Sequence, residues 1–217
     1  MTPIDSATEA ATLSPRLPRQ ERGERRVTTI LDAAASLIVE CGAEGLTVQA
    51  LAERALTSKG SLYHFFPDLR SVLHALAERH TRAIARLTQA MISDVNTDWA
   101  TLSLDEMVER FIAPLAYLER HPDLLALARA PNLLDTTTRR LAPICDLADH
   151  ILHRRYPSLD MHERLVRAST MVAVMDGLVG YSVRSQELVS ERMVAELRRV
   201  LAAYLGSHER DLSVSRP

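Results

Sequence analysis

The twenty residues from Thr47 to Phe66, TVQALAERALTSKGSLYHFF, hold two short amphipathic segments separated by a two-residue break. Thr47 stands where a helix N-cap belongs, and Val48, Leu51 and Ala55 recur behind it at three- and four-residue spacing, turning one face inward. Leu56-Thr57 interrupts that period. Ser58 supplies a second N-cap, followed by Leu62 and then Phe65 or Phe66 on the inner side. Two short helices with a tight turn between them, the second opening on small polar residues, describe a helix-turn-helix. The second helix of such a unit offers its N-terminal end to the major groove of DNA. Residues there must be small enough to let the backbone approach, yet able to hydrogen-bond base edges or phosphates. Ser58, Lys59, Gly60 and Ser61 meet both demands. Gly60 costs about 0.5–1 kcal/mol relative to alanine inside a helix. Clearance for DNA accounts for that cost; a second helix of the same chain packed closely on it would account for it too.

The flanking sequence keeps the helical period. Upstream, Val27, Ile30, Leu31, Ala34, Leu37, Ile38 and Cys41 form one stripe, and Gly42 follows at the position of a helix stop. Downstream, Asp68 caps a long helix that carries Val72, Leu73, Leu76, His80, Ala83, Ile84, Leu87 and Met91. About 24 residues at 1.5 Å each span roughly 36 Å, enough to leave a small head and enter a second layer. Ser103-Leu104-Asp105-Glu106 is a capping box, and Pro114 is expected to kink the helix it opens. A short helix starts at His121-Pro122-Asp123 and ends near Pro131; further helices cover about 138–156, 160–184 and 187–205. Neither alternating strands nor hairpin turns occur, so the predicted fold is all-α. The expected organisation is a flexible arm over residues 1–20, the helix-turn-helix head over 21–68, a larger helical domain over 69–206 and a flexible tail over 207–217.

Composition narrows the function classes. With 217 residues, 47% apolar and 25% charged, wholesale disorder is excluded. Apolar runs stay short; Met171–Met175 is stopped by Asp176, whereas a membrane span needs roughly 18–20 residues. The N-terminus lacks the basic start and apolar stretch of a secretory signal, and Cys41 and Cys145 cannot build a disulfide framework or a four-cysteine zinc site. A reducing cytoplasm is the expected compartment, with no membrane partner. The net charge of −2 excludes a chain-wide basic field, so any nucleic-acid contact must come from a local patch. The only lysine, Lys59, falls in that patch. No HExxH, GxSxG, GxGxxG or Cys-x-x-Cys occurs, so no enzyme chemistry is visible and no cofactor is expected.

The first ~70 residues resemble the DNA-binding head of the tetracycline-repressor (TetR) family of bacterial regulators. The likeness runs through Cys41-Gly42, Gly45-Leu46-Thr47-Val48, Ala52-Glu53-Arg54-Ala55, Ser58-Lys59-Gly60-Ser61-Leu62-Tyr63 and Phe66-Pro67-Asp68. Beyond it only helix count and layout match. The resemblance implies a homodimer on a palindromic double-stranded DNA operator, and a C-terminal helical domain that dimerises, senses a small-molecule inducer and releases DNA. It further implies that Thr47 binds a phosphate, that Lys59 reaches a guanine edge or a phosphate, that Ser58 and Ser61 face bases or backbone, and that Tyr63 bonds a phosphate with His64 beside it. Three positions differ from the family pattern: Leu56 replaces the usual turn glycine, Phe65 the usual histidine, and Leu69, with Arg70 next, the usual lysine at the start of the fourth helix. Arg16, Arg19, Arg22, Arg25 and Arg26 at the end of the arm could track phosphates or stay solvated.

In the C-terminal half, Ser169, Ala173, Gly177 and Gly180 fall on one narrow stripe of a helix that is apolar on both sides. The small stripe is expected to pack against a symmetry mate, joined by Val189, Met193, Leu197, Val200, Leu201 and Tyr204 of the last helix in a four-helix interface. Asp176 interrupts the run and is read as a structural ion pair in preference to a pocket acid. The expected inducer cavity lies beside the kinked helix, lined by Phe111, Leu115, Tyr117, Leu118, His121, Met171 and Met175, and suits a moderately hydrophobic organic molecule. Asp146, His150 and His153 share a helix face at metal-compatible spacing, but a solvated face explains them better, so no metal site is expected. Two alternatives stay open: a DNA-binding regulator without an inducer, and a helical enzyme or metal-binding protein.

Overall fold

The computed structural model describes residues 19–130, 137–185 and 190–214, and none of these is in a strand. They form ten helices: α1 (Arg19–Cys41), α2 (Val48–Arg54), α3 (Lys59–Phe65), α4 (Leu69–Ile92), α5 (Leu104–Ile112), α6 (Leu115–Arg120), α7 (Pro122–Ala128), α8 (Thr137–Arg155), α9 (Met161–Ser185) and α10 (Glu191–Val214). The fold is all-α, with α1–α3 as a head joined through α4 to a larger helical body.

Side-chain caps set the helix starts. Thr47 Oγ1 accepts from the Ala50 amide and Ser58 Oγ from the Ser61 amide, both at 3.1 Å. Asp68 and Ser71 exchange hydrogen bonds at the start of α4, as Ser103 and Glu106 do at the start of α5. Helix α1 ends at Gly42, whose φ of +73° is the left-handed cap that glycine takes without a Cβ penalty. Gly45 answers a different need: a Cβ there would sit 2.4 Å from the Cys41 carbonyl oxygen.

Three sequence expectations are corrected. Pro114 breaks its helix instead of kinking it. Without a proline N–H, the ladder switches to three-residue bonds: Ala113 to Arg110, Ala116 to Ala113 and Tyr117 to Pro114, at 3.0–3.2 Å. Helix α1 already begins at Arg19, so Arg22, Arg25 and Arg26 are exposed helical positions; residues 1–18, with Arg16, lie outside the described residues, as do 186–189 with Val189. Helix α10 continues past Ser207 to Val214. Glu209 pins this extension to the end of α8, accepting from Arg155 Nε at 2.9 Å, Arg155 Nη2 at 2.8 Å and the Tyr156 hydroxyl at 2.9 Å.

Two apolar cores result. Ile30, Ala34, Ile38, Leu51, Leu62 and Phe66 fill the head, together with Val72, Leu73 and Leu76 from the first half of α4. Met107, Phe111, Leu147, Ile151, Leu152 and Met171 are among the buried side chains of the body, where Ile84 continues α4. Leu127 of α7 crosses over: it is completely buried in the head core.

Candidate nucleic-acid interface and effector cavity

The tip of α3 points away from the other described helices. Ser58, Lys59, Gly60, Tyr63 and His64 are exposed and Ser61 is half-buried, while Leu62 on the opposite side is buried in the head. A Cβ on Gly60 would meet nothing closer than the Ser58 hydroxyl at 4.0 Å, so none of the described helices packs on it. Among the described residues, close helix packing therefore does not account for this glycine. Thr47 is also exposed. The oxygens of Thr47 and Ser58 serve as caps, but each hydroxyl keeps its own hydrogen to donate. Helix α2 is fixed to α1 by Arg54, whose guanidinium donates to both Glu40 oxygens at 2.8 Å and to Ser36 Oγ at 2.6 Å. The hydrogen bond from Arg54 holds the Glu40 carboxyl below the usual carboxylate range.

The turn between α2 and α3 carries strain. Leu56 has φ +47°, the only positive φ outside glycine among the described residues, and is 89% exposed. A left-handed conformation costs an ordinary L-residue roughly 1–2 kcal/mol, part of which glycine returns through its freer unfolded chain. Leu56→Gly is therefore expected to stabilise the protein by about 0.5–1 kcal/mol, which a thermal melt would record as a rise of about 1–4 °C. A lower melting temperature would refute the strain.

In the body, a small cavity of about 40 Å³ lies among α4, α6, α7, α8 and α9. Its lining residues are Ile84, Pro114, Leu115, Leu118, Leu124, Leu141, Ile144, Met175, Asp176 and Val179. Of the predicted lining, Leu115, Leu118 and Met175 are there; Phe111, Tyr117, His121 and Met171 are not. Phe111 and Met171 are completely buried in the body core. Asp176, read as a structural ion pair in preference to a pocket acid, lines the cavity and also engages another group of the chain.

Tyr117 and His121 belong instead to a polar knot at the junction of α4, α6 and α7. His80 is 1% exposed; its Nδ1 lies 2.9 Å from the Tyr117 hydroxyl and its Nε2 2.8 Å from Asp123 Oδ2. The His121 ring stacks on Tyr117 at 3.8 Å, and its Nδ1 lies 2.8 Å from the Tyr117 carbonyl oxygen. Burial pushes the Asp123 carboxyl up. The hydrogen bond and charge of His80, the residue's own backbone N–H and His121 outweigh burial and bring it below its ordinary value.

The predicted small stripe of α9 is partly open. Ser169, Ala173 and Gly177 are exposed, and a Cβ on Gly177 would touch nothing within 4 Å. Gly180 is half-buried beneath the Arg184 guanidinium. Leu165, Val166 and Tyr181 extend the same exposed stripe; their spacing of three or four residues from its members was a signal that sequence reasoning missed. On α10, Val200 is 49% exposed, and Met193 and Tyr204 are half-buried. Leu197 and Leu201, expected at the interface, are buried in their own chain, at 3% and 0% exposure. They turn inward because α10 lies along α5, where Arg198 pairs with Glu109.

The family model described as "Bacterial regulatory proteins, tetR family" matches residues 30–76, and that described as "Tetracyclin repressor-like, C-terminal domain" matches residues 103–205. The chain belongs to the TetR family. Among TetR-family relatives, it is 31% identical over 132 residues to the HTH-type transcriptional repressor KstR of Mycolicibacterium smegmatis, covering 61% of this chain and 58% of KstR. It is 40% identical over 63 residues to the class A tetracycline repressor protein from transposon 1721 in Escherichia coli, covering 27% of this chain and 29% of that protein. The chain thus spans less than two thirds of the length of these curated relatives. The crystal structure of a TetR-family transcriptional regulator from Streptomyces coelicolor is 27% identical, with a TM-score of 0.61 over 84% of this chain and 98% of that one.

Against the TetR pattern, the differing positions have distinct fates. His64 is exposed and stands edge-on to Phe65 at 5.1 Å. Leu69 packs against the head core, and the exposed Arg70 places its Nε 3.4 Å from His74 Nε2. Asp146 and His153 are exposed and His150 half-buried, and no metal-holding cluster of His, Cys, Asp or Glu occurs among the described residues. No helix of the described residues is long and apolar enough to cross a membrane.

Proposed function

We propose that this protein is a homodimeric transcriptional repressor that binds a palindromic DNA operator and is released from it by an apolar small molecule. The observation that carries this reading is the outward tip of α3, where Ser58, Lys59 and Gly60 are exposed and none of the described residues packs on Gly60. Lys59 and Ser61 meet base edges or phosphates, Ser58 and Thr47 donate their spare hydroxyl hydrogens, and Tyr63 and His64 flank the same surface. The exposed small stripe of α9 and Val200 of α10 bring two such tips together. The body cavity is the effector site; its walls favour a ligand that is mostly hydrocarbon, and its lining helices must part to admit one. Catalysis has no part in this reading.

The test uses the full chain and a duplex selected from a random pool. Lys59→Ala is expected to weaken binding by roughly tenfold or more, corresponding to the 1–3 kcal/mol of one good contact, with the dimer intact. If Lys59 meets a phosphate, the slope of log affinity against log salt flattens by about 0.9; if it meets a guanine, the sequence preference relaxes at one position and the slope holds. An unchanged affinity removes Lys59 from the interface. A wild-type chain that enriches no duplex at low salt defeats the regulatory reading.

A further inference from the structure

We infer that the His80–Tyr117–Asp123 knot is a proton-sensitive latch that seats α6 and α7 on α4, linking its protonation to the effector cavity and to the DNA-binding head. This rests on the regulatory reading above.

A neutral imidazole satisfies every member of the knot in one arrangement: the Tyr117 hydroxyl donates to Nδ1, and Nε2–H donates to Asp123. One added proton turns Nδ1 from acceptor to donor. The Tyr117 oxygen must then accept, and its own hydrogen needs a new acceptor at a residue only 8% exposed. The bond to Asp123 meanwhile gains charge on both sides. Protonation therefore works against the seat of α6 and in favour of that of α7.

The same three helices wall the cavity. Ile84 lies one turn beyond His80 on α4, Leu118 adjoins Tyr117 on α6, and Leu124 adjoins Asp123 on α7. Helix α7 then places Leu127 in the head core, which the first half of α4 also fills. A ligand that spreads these helices disturbs the latch, and by linkage a proton that opens the latch changes the ligand's affinity.

The charged surroundings are defined. Helix α4 contributes Arg79, paired with Asp32 of α1, and Arg86; the α6–α7 junction contributes His121, 5.5 Å from the His80 ring. Helix α8, packed on α4, contributes buried Ile144, Leu147, Ala148 and Ile151, with Cys145 half-buried beside them. Because the Asp123 carboxyl lies below its ordinary value, its stabilising contribution is present at neutral pH and is lost only as the pH falls through that lowered value. Within the knot the imidazole is the group whose protonation reverses a hydrogen bond, the one to the Tyr117 hydroxyl.

The test compares the wild-type chain with Tyr117→Phe, which has no hydroxyl hydrogen to strand, and with His80→Gln, which cannot titrate; circular dichroism verifies that each is folded. Amide exchange of α6, corrected for intrinsic rates, is expected to accelerate at least fivefold from pH 7.5 to 5.5 in the wild type and less than twofold in the variants. Affinity for the selected duplex, at fixed ionic strength, is expected to change at least fivefold over the same interval in the wild type, beyond any change in the variants. Parallel exchange profiles in wild type and variants overturn the latch. A normal exchange response without the affinity change overturns the link to the head. If no duplex is enriched, the regulatory reading fails, and the exchange measurement still decides the latch.

Discussion

Ala173→Arg is expected to separate the dimer into single chains of 24.2 kDa and to lower operator affinity by about 10²–10⁴-fold. Ala173 is exposed between Ser169 and Gly177, where small side chains let a second helix come close. An arginine there adds a long side chain and a charge to an apolar contact, and the symmetry of a dimer introduces it twice. Because the position is exposed in the single chain, the fold survives. Losing the partner removes the second half-site contact, and the advantage of binding both at once disappears with it. Light scattering and a fluorescence-anisotropy titration of the selected duplex check the two halves of the prediction. An unchanged mass would take this face of α9 out of the interface.

Phe111→Ala is expected to cost about 3–5 kcal/mol of folding stability, which lowers the melting temperature by roughly 6–20 °C. The ring is completely buried among the body core residues, with Met107 and Ile112 beside it on α5. Removing it leaves a void in a closely packed layer, and the surrounding helices relax only in part. The sequence expectation for Phe111 was a ligand-lining residue, whose loss would alter effector affinity more than stability. Urea unfolding separates the two: a loss under about 1 kcal/mol would mean that the ring is not a packing element.

The head was readable because its determinants are local. N-caps act within three residues, and the apolar period of α1 to α4 needs no partner to be recognised; Thr47, Ser58, Asp68 and Ser103 all cap where expected. Leu56 in a left-handed turn was likewise deducible from chain chemistry and the family pattern. The body resisted for the opposite reason. Which side of α6 meets the cavity and which meets α4 depends on how helices cross, so neighbours in sequence, Tyr117 and Leu118, go to different sites. The stripe on α10 carries apolar residues around much of its circumference, and nothing local tells Leu197, turned inward, from Val200, turned outward. The reach of α10 past Ser207 depends on Glu209 meeting Arg155, 54 positions away in sequence. Ile84, Leu124, Leu141, Ile144 and Val179 were missed as lining residues because each is equally at home in an ordinary core.

The placement of Leu127 means that the amino-terminal module is not self-contained. A fragment ending after α4 would expose a hole in its own packing, and grafting that module onto another sensor would require a replacement side chain for the gap. Melting of the two halves is accordingly tied together, because one leucine has to leave its socket before either can come apart independently.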